Sequence, residues 1–204
     1  MNAGETTDGA RQAGRRDAWA GGPRGRAETY DAVILAGGAA RRFGGTDKPG
    51  ALVGGRPLIV RVADAVADAS RTIIVGPVRP GMEAVFVHED PPGSGPVPAL
   101  RAGLQIVVAP RVVLLAADLP FLTQPVVAGL LAHRNAVLVD AEGRDQWLTG
   151  AWHTDTLRSA LESYRGASLR GLLHPLRPVR VAAADHWTDC DTPADLARAE
   201  ERLT

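Results

Sequence analysis

The sequence predicts a single α/β domain: a Rossmann-like, mainly parallel sheet with helices on both faces. From Tyr30 onward, apolar runs of strand length alternate with longer helical patterns, which is typical of parallel strands joined by crossover helices. Most of the strand runs are nearly continuous aliphatic segments, as expected where helices cover both faces of a sheet. A chain of 204 residues with 45% hydrophobic residues is long enough to bury one full core.

The segment before the domain, residues 1–28, has a different composition. It is rich in Gly, Ala, Arg, Thr and Asp and contains almost no large apolar side chains, so burial cannot offset the entropy of ordering it. The apolar stretch around Trp19 is too short for the central region of a signal peptide. We expect a disordered, passive extension, with a basic adhesion tail as the alternative, followed by one domain over residues 29–204.

Within the domain, apolar runs and capping signals predict each element in turn. Strands are expected at Asp31–Ala36, Arg71–Val75, Ala84–His88 and Arg111–Ala116. Crossover helices are expected at Pro57–Ala69, Pro96–Val108 and Gln124–His133, the first with its proline at the opening position. Beyond Asn135 the sequence predicts a hairpin and two more helices: Ala136–Val139, Gln146–Trp152, Thr154–Ser163 and Pro193–Leu203.

The overall charge excludes some classes of partner. Lys plus Arg equals Asp plus Glu at 23 each, so nothing favours nucleic acid or an anionic membrane. The single cysteine, Cys190, cannot form an internal disulfide, and no apolar run approaches the roughly 18 residues of a membrane span. We expect a cytoplasmic, monomeric protein in which any phosphate binding is local.

A glycine-rich loop, Leu35–Lys48, begins where the first buried strand ends. Ligands of open α/β sheets bind at the carboxyl ends of the strands. Gly37 and Gly38 lack Cβ, so their backbone N–H groups can approach phosphate oxygens closely, and Gly44-Gly45 lets the loop fold back. Three cations add permanent positive charge: Arg41, Arg42 and Lys48. The spacing matches neither the dinucleotide-binding Gly-x-Gly-x-x-Gly nor a Walker loop. A plain tight turn is the alternative explanation for one glycine pair alone.

The spacing Leu-Ala-Gly-Gly-x-x-x-Arg-x-Gly-x-x-x-Lys resembles the nucleotide-binding loop of the molybdenum cofactor guanylyltransferases, within the wider MobA-like NTP transferases. The resemblance runs from about Tyr30 to the C-terminus. It implies that Leu35, Ala36, Gly37 and Gly38 contact the nucleotide and that Lys48 holds its phosphates. Arg42 occupies the position of the family's loop arginine. Sugar-nucleotide transferases have a longer loop with a proline before the lysine, so the compact loop favours the cofactor branch.

A candidate magnesium ligand, Asp118, follows the strand Arg111–Ala116. The strand delivers it to the carboxyl edge of the sheet, beside the glycine loop. Mg²⁺ takes hard oxygen ligands and keeps several waters, so one or two carboxylates plus substrate phosphates are sufficient. The alternative is that Asp118 caps the turn before Pro120. The resemblance places the family's metal aspartate at this strand end.

Two more carboxylates, Asp189 and Asp191, stand two apart near the C-terminus, so in an extended segment both face the same side. Thr192-Pro193 after them is a good helix start, with Thr192 as the cap. The segment resembles the family's Asn/Asp-x-Asn/Asp-Thr-Pro motif, which completes the metal and acceptor site. Cytidylyl relatives commonly have two aspartates there, which weakens the guanylyl assignment.

Residues after the second and third strands complete the predicted nucleotide pocket. The resemblance aligns Asp90 with an aspartate that contacts the nucleotide, a surface turn being the alternative, and Gly95-Pro96 with a pair that shapes the pocket. The free N–H groups of the helix that follows also attract anions. At Gly76 many guanylyltransferases have an asparagine, so here only backbone is supplied.

The reaction that this resemblance implies is Mg²⁺-dependent transfer of GMP from GTP to the phosphate of molybdopterin, with Lys48, Arg42 and Asp118 as catalytic residues. Asp118, Asp189 and Asp191 would be the metal ligands. Transient contact with cofactor-insertion proteins or apoenzymes would follow. Two alternatives stay open: a cytidylyltransferase or other NTP transferase acting on a phosphorylated small molecule, and a non-catalytic nucleotide- or cofactor-binding accessory protein.

Overall fold

The computed structural model describes residues 28–37, 47–183, 190 and 192–203. The predicted extension, residues 1–28, lies outside these ranges except for Glu28. The described strands are β1 (Tyr30–Leu35), β2 (Leu52–Val53), β3 (Arg56–Pro57), β4 (Arg71–Val75), β5 (Val85–Val87), β6 (Arg111–Ala116), β7 (Ala136–Val139), β8 (Asp145–His153) and β9 (Val179–Ala182). The helices are α1 (Leu58–Asp64), α2 (Pro96–Ile106), α3 (Gln124–Leu131), α4 (Thr154–Ser163), α5 (Leu169–Leu173) and α6 (Pro193–Leu203), with 3₁₀ turns at Lys48–Gly50 and His174–Leu176.

Seven strands form one sheet in the order β5-β4-β1-β6-β8-β7-β9, and β2 pairs with β3 in a separate small hairpin. All neighbouring pairs from β5 to β6 are parallel, and so is β7 with β9, whereas β8 runs antiparallel to both of its neighbours. When only the strands of this sheet are counted along the chain, the order β5-β4-β1-β6 is 3-2-1-4, which is how the strand order of the Rossmann fold begins. The predicted fold class is therefore confirmed.

The core lies on both faces of the sheet because the central strands are buried throughout. All six residues of β1 and all six of β6 are buried. Alternate residues of β1 point to opposite faces, so Ala32 and Ile34 belong to one apolar cluster, and Val33 and Leu35 to the other. Helices α1 and α3 cover the first face, and α2, α4 and α5 cover the second.

Several element bounds differ from the expectation. Helix α1 ends at Asp64 instead of Ala69, and Pro57 precedes the helix as its cap instead of opening it. The chain after Asp64 forms turns that bring it back to β4, with Ser70 N–H donating to the Tyr30 carbonyl at 2.8 Å. Strands β2, β3 and β9 and helix α5 are additional elements. None of the described helices is long and apolar enough to cross a bilayer.

Candidate functional site

The carboxyl ends of three parallel strands meet at one edge of the sheet. Leu35, the last residue of β1, pairs with Val75 of β4 on one side and with Ala116 of β6 on the other. Backbone hydrogen bonds continue this pairing beyond the strands: Ala36 N–H donates to the Val75 carbonyl at 2.9 Å, and Ala117 N–H donates to the Leu35 carbonyl at 3.2 Å. The residues that follow each strand are therefore held side by side.

The side chains of Lys48 and Asp118 meet at this edge, although 70 residues separate them in the chain. The Lys48 ammonium donates a hydrogen bond to Asp118 Oδ2, and the two form an ion pair. Only about a fifth of each side chain is exposed, at 20% for Lys48 and 18% for Asp118. The structure thus brings together a cation and a carboxylate that the sequence assigned to phosphate and metal, in a partly desolvated setting where charges act strongly.

The C-terminal segment reaches the same place through Cys190. Its N–H donates to the Asp118 carbonyl at 3.1 Å, and its side chain is fully buried with Val53, Leu58 and Ala199. Cys190 therefore packs as a small apolar residue. The aspartates on either side of it in the chain, Asp189 and Asp191, lie outside the described residues.

The start of α6 forms a reciprocal capping pair. Asp195 N–H donates to Thr192 Oγ1 at 3.2 Å, and Thr192 N–H donates to Asp195 Oδ2 at 2.7 Å. Two backbone donors at the helix start are satisfied in this way, as in a capping box. The predicted cap at Thr192 is confirmed.

Gly76 lies against the first part of the glycine loop. Its φ is +152°, and a Cβ there would lie 2.9 Å from the Ala36 carbonyl carbon and 3.1 Å from Gly37 N. No side chain fits without moving this backbone, so the glycine serves close approach of two backbone segments. Leu35 and Ala36 have buried side chains, so a ligand at this edge would meet backbone groups there.

A buried carboxylate that sequence reasoning missed, Glu89, also lies beside the loop. It is 6% exposed, and its Oε1 and Oε2 lie 3.5 and 3.7 Å from the position that a Cβ of Gly37 would take. Glu89 Oε1 accepts a hydrogen bond from Gly93 N–H at 2.8 Å. The neighbouring Asp90, which the resemblance aligns with the nucleotide-contacting aspartate, is exposed.

Gly95 and Pro96 stand at the start of α2. Gly95 is the cap, with a φ of +108°, and its carbonyl accepts from Ala99 N–H at 3.1 Å, while Pro96 is the first helical residue. A β-carbon at Gly95 would meet nothing within 4 Å. At Gly95 only the backbone conformation favours glycine, whereas at Gly76 the lack of space for a Cβ favours it as well.

Two predicted site residues of the glycine loop, Gly38 and Arg42, lie outside the described residues, as do Asp189 and Asp191. Among the described residues, no group of three or more His, Cys, Asp or Glu side chains is arranged to hold a metal ion. Of the side chains that the structure describes, Asp118 supplies the carboxylate that contacts Lys48 at this edge. One carboxylate is a sufficient protein contribution for Mg²⁺, which completes its shell with water and substrate phosphates.

The fold and the site together define a Rossmann-like α/β protein with an ion-paired lysine and aspartate at the carboxyl edge of its sheet. Its glycine loop begins where β1 ends. At the far end of that loop, Lys48 contacts Asp118, which follows β6. The sequence profile of the MobA-like NTP transferase domain matches residues 32–183, well over half of the chain. The chain belongs to the MobA-like NTP transferase family, and it is accordingly a nucleotidyltransferase.

Individual relatives agree with this assignment. The chain is 33% identical over 186 residues to the molybdenum cofactor guanylyltransferase of Rhodobacter capsulatus, covering 84% of this chain and 95% of the relative. It is 31% identical over 191 residues to the molybdenum cofactor guanylyltransferase of Bradyrhizobium sp. (strain ORS 278), covering 82% and 90%.

Solved structures show the same fold at lower identity. A nucleotidyl transferase from Methanothermobacter thermautotroptrophicus superposes with a TM-score of 0.69 at 20% identity, covering 86% of this chain and 97% of that one. Molybdopterin-guanine dinucleotide biosynthesis protein A from Archaeoglobus fulgidus superposes with a TM-score of 0.60 at 23% identity, covering 84% and 97%.

Proposed function

We propose that this nucleotidyltransferase moves GMP from GTP to the phosphate of molybdenum-bearing molybdopterin and releases pyrophosphate. The observation that carries the proposal is the Lys48–Asp118 pair at the carboxyl edge of the sheet, in a chain that belongs to the MobA-like family. The names of relatives at 31% and 33% identity support this choice of nucleotide and acceptor.

The reaction needs no protein base. The second pKa of a phosphate monoester is near 6, so the acceptor phosphate is largely ionised at pH 7. One of its oxygens attacks the α-phosphorus of GTP, and the bond from that phosphorus to the β-phosphate oxygen breaks with its electron pair leaving on pyrophosphate. The task of the protein is therefore to position the two substrates and to neutralise charge.

Lys48 and Asp118 divide that task. The Lys48 ammonium neutralises the negative charge that builds on the departing phosphates. Asp118 would hold Mg²⁺, which when bound supplies Lewis-acid stabilisation to the phosphate oxygens. Because the ammonium and the carboxylate are in contact, a phosphate on one and a cation on the other would be neighbours. The chemistry of these groups suits Mg²⁺ and phosphate: Asp118 is a hard, partly buried carboxylate, and Lys48 places a positive charge beside it.

The remaining assignments extend from this centre. Arg42 would add a second positive charge on the phosphates, and Asp189 and Asp191 would complete the metal and acceptor site on either side of Cys190. Backbone groups of Ala36, Gly37 and Gly76 line the edge where the nucleotide would lie. Asp90, Gly95 and Pro96 would shape the pocket for its base and ribose.

A cytidylyltransferase is the second candidate, and the Asp189/Asp191 pair favours it because cytidylyl relatives commonly have two aspartates at this place. The compact Leu-Ala-Gly-Gly loop favours the guanylyl reading. A binding protein without turnover is the third candidate. The combination of Lys48, Asp118 and the Asp189/Asp191 pair opposes it, since a binder has no need of metal ligands.

One experiment separates the three candidates. The purified protein is incubated with molybdopterin, Mg²⁺ and each of the four NTPs in turn, and pyrophosphate release and product mass are measured. We expect the largest kcat/KM with GTP and a product heavier than the acceptor by one GMP moiety. A larger kcat/KM with CTP would establish the cytidylyl reading, and nucleotide binding without pyrophosphate would establish the accessory protein.

A further inference from the structure

Arg79 forms a two-pronged ion pair with Asp47, the residue immediately before Lys48. Its Nη1 donates to Asp47 Oδ2 at 2.7 Å and its Nη2 donates to Oδ1 at 2.6 Å. Parallel bonds from one guanidinium to both oxygens of a carboxylate fix orientation as well as distance. Both carboxylate oxygens of Asp47 are therefore bonded to the same guanidinium.

The Arg79 side chain is committed to this contact. Only 16% of it is exposed, whereas 58% of the Asp47 side chain is exposed. The hydrogen bond from Arg79 lowers the pKa of Asp47, and the same contact raises the pKa of Arg79. Within the described residues, Nε of Arg79 is buried without a hydrogen-bond acceptor, which is a cost that the two Nη bonds must offset.

Gly50 makes room for the pair. A Cβ at this residue would lie 2.3 Å from Asp47 Oδ2 and 3.1 Å from Arg79 Nη1. The backbone of Gly50 is not in the left-handed region, so conformation does not call for glycine; a side chain there would push the Asp47 carboxylate away from its present contact with Arg79. The 3₁₀ turn Lys48–Gly50 therefore packs directly against the Arg79–Asp47 ion pair.

The segment Gly76–Arg79, which follows β4, contacts the chain on both sides of the glycine loop. Gly76 packs against Ala36 and Gly37, where the loop leaves β1. Arg79 holds Asp47, where the described chain resumes. One short segment thus sets the position of both ends. The Arg79 side chain is mostly buried and its contact with Asp47 is two-pronged, so the pair fixes the orientation of Asp47 as well as adding to stability.

We propose that Arg79 is a positioning residue for nucleotidyl transfer: by holding Asp47 it places the backbone of Lys48 so that the ammonium meets Asp118 and the phosphates. The proposal rests on the proposed function of Lys48. A lysine side chain has four rotatable bonds, so the place of its ammonium depends on a fixed backbone. Displacement of a catalytic group by about 1 Å costs on the order of 100-fold in rate.

The test is a double-mutant cycle between Arg79 and Lys48. Arg79→Ala should lower kcat/KM and weaken Mg·GTP binding by about 10-fold or more in the wild-type background. In the Lys48→Ala background the same change should have less than about a twofold effect, because the group it positions is gone. Arg79→Lys should resemble Arg79→Ala, since an ammonium cannot bridge both oxygens of Asp47.

A control is available at Arg180, which also pairs with an aspartate: its Nε lies 2.7 Å from Asp145 Oδ1, and 57% of its side chain is exposed. Arg180→Lys should leave both kcat/KM and Mg·GTP affinity unchanged. Circular dichroism melting of every variant checks folding, and Asp47→Asn serves as a milder probe of the same contact.

The outcomes separate the proposal from the function on which it rests. If the wild-type protein binds Mg·GTP but releases no pyrophosphate, the proposed function is wrong. The double-mutant cycle, measured by Mg·GTP affinity, still tests the role of Arg79. Wild-type protein that does not bind Mg·GTP would overturn both. Equal losses for Arg79→Ala in the two backgrounds, or no loss in either, would overturn the positioning role alone.

Discussion

Replacing Asp118 by asparagine separates the proposed metal role from a structural one. The change keeps the size of the side chain and leaves an oxygen that can accept from Lys48, but it removes the negative charge. The backbone carbonyl that accepts from Cys190 N–H is unaffected. Any large effect on turnover is then attributable to charge.

The expected loss of stability is small. Exposed ion pairs contribute up to about 1 kcal/mol, whereas removing one partner of a fully buried pair costs about 3–5 kcal/mol. About a fifth of each side chain of the Lys48–Asp118 pair is exposed, so the ammonium can turn to water or to the new amide. We expect Asp118→Asn to cost about 1 kcal/mol, which lowers the melting temperature of a domain of this size by roughly 2–4 °C.

The expected loss of turnover is much larger. Lewis-acid stabilisation by a bound cation is worth several kcal/mol in the transition state, and each 1.36 kcal/mol is tenfold in rate. Asp118→Asn should therefore slow pyrophosphate release by roughly 10²- to 10⁴-fold. Raised Mg²⁺, or Mn²⁺, should restore part of the rate.

The assay compares pyrophosphate release with thermal melting for wild type, Asp118→Asn and a control. Asp145→Asn is the control, because Asp145 is also ion-paired, with Arg180, and its side chain is 24% exposed. It should lose similar stability and keep normal turnover. Near-normal turnover of Asp118→Asn at low Mg²⁺ would refute the reasoning and leave the metal to Asp189 and Asp191.

Four further predictions follow from the same structure. Lys48→Ala should weaken NTP binding in calorimetry and slow turnover by roughly 10²-fold or more while the fold survives; unchanged affinity and rate would make it a surface lysine. Gly76→Ala should cost about 1–3 kcal/mol in urea denaturation, more than Gly81→Ala, which also has positive φ but meets nothing within 4 Å. Deletion of residues 1–28 should leave melting temperature and activity within error; loss of either would show that the tail docks. A hydrogen bond from Arg79 lowers the pKa of Asp47. The difference in free energy of unfolding between wild type and Asp47→Asn should therefore be fully present above about pH 4 and disappear as the pH falls through that lowered pKa. A difference that does not depend on pH would contradict this.

The elements that could be predicted from the sequence have strong local signals. Strands β4 and β6 and helices α4 and α6 have the predicted bounds. Aliphatic runs mark the two strands, and the capping residue Thr192 marks the start of α6. The missed strand β9 lies at the edge of the sheet and is mostly exposed, so it has no apolar run to reveal it. Strands β2 and β3 are two residues each, too short for any periodicity.

Only site residues that belong to a recognisable sequence motif could be predicted. Lys48 and Asp118 each follow a recognisable pattern, and the structure brings them together. Glu89 and Arg79 have no such pattern, because their contacts with the glycine loop depend on strand order. Placing β4 beside β1 brings Arg79 to Asp47 across 32 residues, and periodicity carries no information about that neighbourhood.

Transfer of GMP from GTP to molybdopterin is tested most directly by the position of a radioactive label. GTP labelled at the α-phosphorus, and separately at the γ-phosphorus, is incubated with the protein, molybdopterin and Mg²⁺, and the products are separated by chromatography. We expect the α-label in the acceptor product and the γ-label in pyrophosphate. A γ-label in the acceptor, or an α-label that stays on free GMP or GDP, would contradict it.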